Sequence, residues 1–199
     1  MVLGFKKKKP PDPYLTQVIN TERFRLVNCN RLQAIQITMP WHNDPEILGN
    51  LMYSKAKYSR REWARKIGKP DGNKRFYHAI IAKDIKGTIG THRLILDKSG
   101  TVRLAIVIHA KEWWGKDVFA EVRTAIMDHF SQSPRVVRFH GQVLTRNIRS
   151  IYNYQKLGFR VIGYDRKVWK SPITDEYEDT MHFEYLAEDW RADRTEHLT

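Results

Sequence analysis

The chain has 199 residues, 41% of them hydrophobic, so it can bury the core of one domain. Its 35 Lys and Arg residues outnumber 22 Asp and Glu residues, and the formal charge of +13 attracts polyanions and disfavours a polycationic substrate such as a polyamine. No stretch approaches the ~20 apolar residues of a membrane span, and the amino terminus lacks the apolar segment of a signal peptide. Cys29 is the single cysteine, which excludes an internal disulfide and a thiolate-rich metal site.

A basic tail is predicted at the amino terminus, over residues 1–19. The lysines of Lys6–Lys9 repel one another and the prolines of Pro10–Pro13 prevent a helix, which favours an extended segment that is normally disordered. Attachment of the four lysines to nucleic acid or to an acidic protein is the alternative to a free tail.

The first third of the domain is predicted to hold one strand and three short helices. Alternation of apolar residues favours a strand at Phe24–Val27. Each helix has a start signal: Asn30 can cap the first, Asp44-Pro45 precedes the second, and Ser59 begins the third. The three helices are predicted over residues 31–37, 46–53 and 60–67.

Three strands and a fourth helix follow. The strands, over residues 75–83, 88–96 and 102–109, are predicted to be antiparallel neighbours because their turns are short. A loop containing Gly115 then opens into a helix over residues 118–130. Strand, glycine loop and helix form a layout that attracts an anion, because the N–H groups of the first helical turn are free.

Two acidic residues conflict with an anion at this loop. Glu112 precedes Gly115 and Asp117 follows it. Asp117 can also cap the helix, and its carboxylate would then occupy the N–H groups that an anion needs. Lys111 and Lys116 can offset the repulsion.

The last third alternates again between strands and helix. A strand over residues 136–143 leads to Asn147, a helix over 148–156, a stop at Gly158 and a strand over 159–168. An acidic turn at 175–179 precedes a final strand that ends at Tyr185, and residues 191–199 are predicted to be a frayed polar tail.

The late helix carries a motif that closely resembles the GNAT superfamily of acyl-CoA N-acyltransferases, Asn147-x-Arg149-Ser150-Ile151-x-x-Tyr154-x-Lys156-Leu157-Gly158-Phe159. The run Trp114-Gly115-Lys116, with Ala120-Glu121 after it, is similar to the pyrophosphate loop of that family. Residues 175–183 look like a segment of the branch that acetylates protein amino termini, ribosomal proteins included. The resemblance spans about residues 20–190.

The resemblance implies a mixed α/β fold. Its mostly antiparallel sheet would carry helices on both faces and splay open between the fourth and fifth strands, residues 102–109 and 136–143. The pantetheine of acetyl-CoA would pair with the fourth strand, and the pyrophosphate would lie on the N–H groups after Gly115. The implied cofactor contacts are Ile106, Val107, Ile108, Trp114, Gly115, Lys116, Asp117, Val118, Asn147 and Arg149.

The same resemblance assigns catalytic roles. A backbone N–H near Val107 would stabilise the oxyanion, and Tyr154 would give a proton to the departing thiolate. The alternative for Tyr154 is a core residue whose hydroxyl finds a partner. Several relatives carry a glutamate base early in the fourth strand, where this chain has Arg103. A strand histidine, His92, His109 or His140, could serve instead, or ordered water could do so, as in some relatives.

The sequence therefore predicts an acetyl-CoA-dependent N-acetyltransferase that acts on a protein amino terminus or on an amine associated with RNA or the ribosome. The alternative is a GNAT-fold protein that has lost catalysis and serves as a binding or structural subunit. The eight histidines show no metal-ligand spacing, so no metal is expected. The expected location is the cytoplasm, or the inside of a viral or nucleoprotein particle.

Overall fold

A computed structural model describes residues 9–196 of the chain. Eight strands form one sheet in the order β1-β2-β3-β4-β5-β6-β8-β7 within this range. The strands are β1 Ile19–Asn20, β2 Phe24–Asn28, β3 Arg75–Ala82, β4 Thr88–Leu96, β5 Thr101–Ile108, β6 Arg138–Leu144, β7 Arg160–Lys170 and β8 Tyr177–Leu186. The helices are α1 Arg31–Thr38, α2 Pro45–Leu48, α3 Arg60–Ile67, α4 Val118–Ser131, α5 Ile148–Lys156 and α6 Ala187–Glu196.

The amino-terminal segment is packed on the domain from residue 12 onward. The N–H of Asp12 donates to the carbonyl of Gly72 at 2.9 Å, Leu15 is fully buried, and β1 pairs with β2. The boundary expected at residue 19 therefore lies nearer the amino terminus, because buried apolar side chains anchor a stretch that the basic composition marked as a tail. Lys6, Lys7 and Lys8 lie outside the described residues, and a partner for them stays a prediction.

Local signals correctly placed the starts of the first three helices. Asn30 and Ser59 form capping boxes with the residues three positions later, and Asp44 accepts hydrogen bonds from the first turn of α2. The second helix is shorter than expected, ending at Leu48 instead of residue 53. Gly49 disfavours its continuation, and Tyr53 packs edge-on against Trp63 with ring centroids 5.4 Å apart.

Helices cover both faces of the sheet. On one face α4, α5 and α6 pack on a core that includes Phe76, Leu94 and Phe139. On the other face α1, α2 and α3 pack around Trp63 and Tyr77. The mixed α/β architecture inferred from the sequence is confirmed.

The sheet splits between β5 and β6. These two strands pair in parallel over only three residues, Thr101–Arg103 with Arg138–His140, and then diverge. They are the fourth and fifth strands of the sequence analysis, renumbered because the short β1 precedes them. The divergence opens the cleft in which the site lies.

The carboxyl terminus differs from the sequence prediction in two places. Three of the five residues of the acidic turn, from Tyr177 onward, belong to β8. Residues expected to fray form α6 instead, held by Trp190, which is buried and whose Nε1 donates to Asp128 at 2.9 Å. Charged residues dominate α6, so its narrow apolar face gave only a weak helical pattern.

Candidate active site

A cavity of about 560 Å³ lies where β5 and β6 separate. Residues of β5, of the loop before α4 and of α5 meet there with residues of α2 and β4. Seven residues singled out in the sequence line it: Ile106, Val107, Ile108, Trp114, Asn147, Arg149 and Tyr154. The other four, Gly115, Lys116, Asp117 and Val118, lie at the adjoining loop and helix start rather than in the lining.

The backbone of β5 faces the cavity at alternate residues. The N–H of His109 donates to the carbonyl of Ile89 at 3.0 Å, and the antiparallel pairing of β5 with β4 is regular from Val102 to Ile108. Every second residue of β5 therefore bonds to β4, and Val107 directs its N–H and C=O to Thr91. The same alternation turns the groups of Ile106 and Ile108 away from β4, and the carbonyl of Ile108 accepts from Trp114 Nε1 at 2.8 Å. Among the residues near Val107, Ile106 and Ile108 are therefore the better candidates for the backbone N–H that stabilises the oxyanion.

The first turn of α4 is open to an anion. Asp117 precedes the helix with φ 54°, a left-handed conformation, and makes no side-chain cap. Its carboxylate instead accepts from Lys156 Nζ at 2.8 Å, which lowers the pKa of Asp117. Of the two possibilities for Asp117, the structure therefore shows a carboxylate paired with Lys156 of α5 and not one bound to the helical N–H groups. The backbone N–H groups of residues 118–120 donate no hydrogen bond to any group within residues 9–196.

Two cations flank this helix start without acidic partners in the described part of the chain. Lys116 Nζ lies 5.4 Å from the ring centroid of Trp113, and Arg149 Cζ lies 5.2 Å from that of Trp114. Lys111, by contrast, is bound to Asp44 and Glu46. The mouth of the cavity thus presents free positive charge.

Tyr154 is buried with its hydroxyl at the cavity. The residue is 3% exposed, its ring stacks on Phe183 at 4.8 Å, and its phenol lies against Gly141 of β6, where any Cβ would come closer than 3.0 Å. The hydroxyl has no hydrogen-bond partner among the described residues. The phenol is therefore fixed in place and free to bond to a ligand.

Asn147 caps α5, and its side chain accepts from the N–H of Ser150 at 3.1 Å. The amide nitrogen of the same side chain has no recorded partner within the described range. Capping and ligand binding are therefore compatible for this residue, as expected from the sequence.

None of the histidines proposed as a base lines the cavity. His92 is fully buried, and burial lowers its pKa. His109 stacks on Trp41, and His140 Nε2 lies 3.2 Å from His182 Nδ1. Arg103 is exposed and 3.9 Å from Asp97. The lining contains one carboxylate, Glu46, which is 2.7 Å from Lys111.

Three arginines of the lining were not singled out from the sequence: Arg93 of β4, Arg123 of α4 and Arg146, which pairs with Glu178. The side chains of Arg93 and Arg123 make no ion pair or hydrogen bond within residues 9–196. A signal existed for Arg123, because it lies four residues after Phe119 and four before Met127 on the core-facing side of the helix. A charge at such a position is unusual unless it binds something.

Comparison with known proteins agrees with this geometry. The family model described as Acetyltransferase (GNAT) domain matches residues 23–160. A GNAT-family acetyltransferase from Bacillus anthracis has 17% identity and a TM-score of 0.70, covering 86% of this chain and 99% of its own. Spermidine N-acetyltransferase from Vibrio cholerae, solved with CoA and spermine, has 17% identity and a TM-score of 0.71, covering 84% and 98%.

A ribosomal-protein-S5-alanine acetyltransferase from Vibrio fischeri has 16% identity and a TM-score of 0.70, covering 87% of this chain and 98% of its own. At these identities the likeness establishes the fold and leaves the acceptor open. No curated protein sequence matched the chain. No helix among residues 9–196 is long and apolar enough to cross a membrane.

Proposed function

The chain belongs to the GNAT acetyltransferase family, and on that premise we propose that it is an acetyl-CoA-dependent N-acetyltransferase whose acceptor is the α-amine of a protein or peptide. The observation that carries the proposal is the unpartnered Tyr154 hydroxyl in a cavity between the unpaired edge of β5 and the open first turn of α4.

The residues present fit acetyl-CoA. Backbone groups of Ile106 can pair with the pantetheine arm, as a missing strand would, and the first turn of α4 can receive the pyrophosphate. Lys116 and Arg149 supply charge for the phosphates. The left-handed Asp117 is tolerated because aspartate adopts that conformation more readily than most residues.

When bound, the cofactor supplies an acetyl group as a thioester. The N–H of Ile106 or Ile108 would stabilise negative charge on the thioester oxygen, since both project from the unpaired edge of β5. Tyr154 would donate its phenolic proton to the leaving sulfur. Its ring packs between Phe183 and Gly141, which fixes its position, so the hydroxyl can donate the proton without a rearrangement of the side chain.

The cavity favours an α-amine over a lysine or polyamine. Its lining offers no unpaired carboxylate to bind an ammonium group or to remove its proton. Arg93 and Arg123 place positive charge there, and nearby positive charge favours the neutral form of an amine. An α-amine, with a reference pKa of about 7.7–8.0, is neutral more often at pH 7 than a lysine amine of about 10.4.

The alternative, a catalytically degenerate binding subunit, is weakened at one of its supports. It draws on the acidic loop, on Arg103 in place of a base and on the lysine tail, and the carboxylate of Asp117 pairs with Lys156 instead of capping α4. The exposed Glu112 is the remaining unfavourable charge, and Lys116 and Arg149 outnumber it.

Calorimetry with acetyl-CoA and an acetyl-transfer assay on peptides with free and blocked amino termini test the proposal. We expect binding in the micromolar range, transfer to the free amino termini only, and a Tyr154→Phe variant that binds acetyl-CoA normally but has a kcat at least about tenfold lower. Tyr152→Phe is the matched control, because this exposed tyrosine of the same helix lies outside the cavity lining. No binding at millimolar acetyl-CoA would refute the proposal, and an unchanged kcat in Tyr154→Phe would refute the role of Tyr154.

A further inference from the structure

Arg123 is a buried cation without a counterion. It is 1% exposed, and its Nε and Nη1 atoms are buried with no hydrogen-bond partner. Its guanidinium packs against two aromatic rings, with Cζ 4.4 Å from the centroid of Phe119 and 4.8 Å from that of Tyr154. Burial of an arginine without an anion is costly, so the arrangement points to a ligand that supplies one.

No protein group supplies that anion in the described part of the chain. His92 is the polar neighbour, and both of its ring nitrogens are also buried without partners. Burial and the charge of Arg123 both lower the pKa of His92, so the ring is neutral at pH 7. The lining contains only one carboxylate, Glu46, and it is engaged by Lys111.

The guanidinium is reached from the cavity. Arg123 lines the cavity, and Nη2 is the one guanidinium nitrogen that is not fully buried. Arg123 follows the start of α4 by five residues, about 7.5 Å along the helix at ~1.5 Å per residue, and it touches the ring of Tyr154. It therefore lies deeper than the phosphate-binding turn and beside the group that would protonate the leaving sulfur.

We propose that Arg123 binds a carboxylate at the far end of the acyl group, so that the site accepts dicarboxylic acyl thioesters of CoA, such as succinyl, as well as acetyl-CoA. The inference rests on the proposed function of the same site. Arg123 contacts the ring of Tyr154, the group that would protonate the leaving sulfur, so the carboxylate is assigned to the acyl donor rather than the acceptor.

The reaction balances without another reactant. The acceptor nitrogen forms a bond to the thioester carbon, the carbon–sulfur bond breaks, and the phenolic proton of Tyr154 goes to the sulfur. The proton that the amine loses restores the phenol. The distal carboxylate stays ionised throughout and appears in the amide product. Planar guanidinium and planar carboxylate can form two parallel hydrogen bonds, which gives this recognition its selectivity.

Calorimetry on the full chain compares succinyl-CoA, acetyl-CoA and CoA. We expect succinyl-CoA to bind at least about tenfold more tightly than acetyl-CoA, and Arg123→Met to abolish that difference while leaving acetyl-CoA affinity within about twofold. Arg65→Met, which alters an exposed helical arginine, is the control and should keep the preference. Removal of an unpaired buried charge should not lower stability, and urea unfolding of Arg123→Met checks that the variant is folded.

Equal affinities of the wild-type protein for the two thioesters would overturn the inference while leaving the proposed function intact. Failure to bind either thioester would overturn both. A second arm compares acetyl transfer to a free amino acid and to its carboxamide. If Arg123→Met raises the KM for the amino acid but not for its carboxamide, Arg123 binds a carboxylate of the acceptor. That result would overturn the assignment to the donor.

Discussion

Replacing Gly141 by alanine should disable the site with little effect on the rest of the fold. Gly141 lies on β6, and a Cβ added there would stand closer than 3.0 Å to Cζ, Cε1 and the hydroxyl oxygen of Tyr154. Phe183 stacks on the same ring, so the phenol has no simple retreat. We expect the variant to lose about 1–3 kcal/mol of unfolding free energy, as in other overpacked cores, and to displace the hydroxyl.

A displaced hydroxyl should affect catalysis more than binding. The variant should lose at least about tenfold in kcat, while its affinity for acetyl-CoA changes little because the phosphate contacts are made by other groups, the first-turn N–H groups of α4 with Lys116 and Arg149. Steady-state kinetics, calorimetry and urea unfolding measure the three quantities. Combination with Tyr154→Phe removes the oxygen, one of the three clashing atoms, so the added cost of Gly141→Ala in that background should be smaller than in the wild-type protein.

Gly163→Ala is the matched control. Gly163 also lies in a strand, β7, but a Cβ there meets no atom within 4 Å. Its stability should stay equal or rise by a few tenths of a kcal/mol, since alanine reduces the freedom of the unfolded chain. A Gly141→Ala variant with wild-type kcat would show that Tyr154 is not held by this contact and would refute the reasoning.

Two further predictions concern charge. Asp117→Gly should bind acetyl-CoA severalfold more tightly at low salt, because it removes a carboxylate beside the phosphate site. The stability of the variant should change little: glycine adopts φ 54° without strain, and the ion pair with Lys156 that is lost is exposed. Calorimetry measures the change, and unchanged or weaker binding would contradict it. The free energy of unfolding should also fall as the pH drops below 6.5. Burial lowers the pKa of His78 from 6.5 to about 3 and also lowers that of His92. Both rings therefore stay neutral in the folded protein while they take up protons in the unfolded chain, which favours unfolding. Each contributes up to about 1.4 kcal/mol per pH unit, and equal unfolding free energies at pH 7.5 and 5.5 would contradict this.

Features with local sequence signals were predictable. The caps at Asn30 and Ser59, the stop at Gly158 and the antiparallel meander of β3, β4 and β5 are properties of a few neighbouring residues, and they lie where the sequence placed them. The family motif around Tyr154 identified the fold because its spacing reflects one helix and the strand after it.

Features set by distant contacts were not predictable in this way. The direction of the Asp117 carboxylate depends on Lys156 and on a left-handed backbone, which no composition reveals. The burial of Leu15 and of α6 depends on surfaces far along the chain. The exact backbone groups that face the cavity follow from the pairing of β5 with β4, which moved the proposed donor from Val107 to its neighbours.

The short pairing of β5 with β6 also bears on how the chain folds. Strands β3 to β5 form an antiparallel meander and β7 and β8 form a hairpin, whereas β5 joins β6 by three parallel residue pairs across the connection made by α4. Because pairings close in sequence form early, we expect the meander and the hairpin to gain structure before the junction, where Thr101 pairs with the distant Arg138. The cleft would then be completed after both of them, and its shape would belong to the assembly of these folding units rather than to either one.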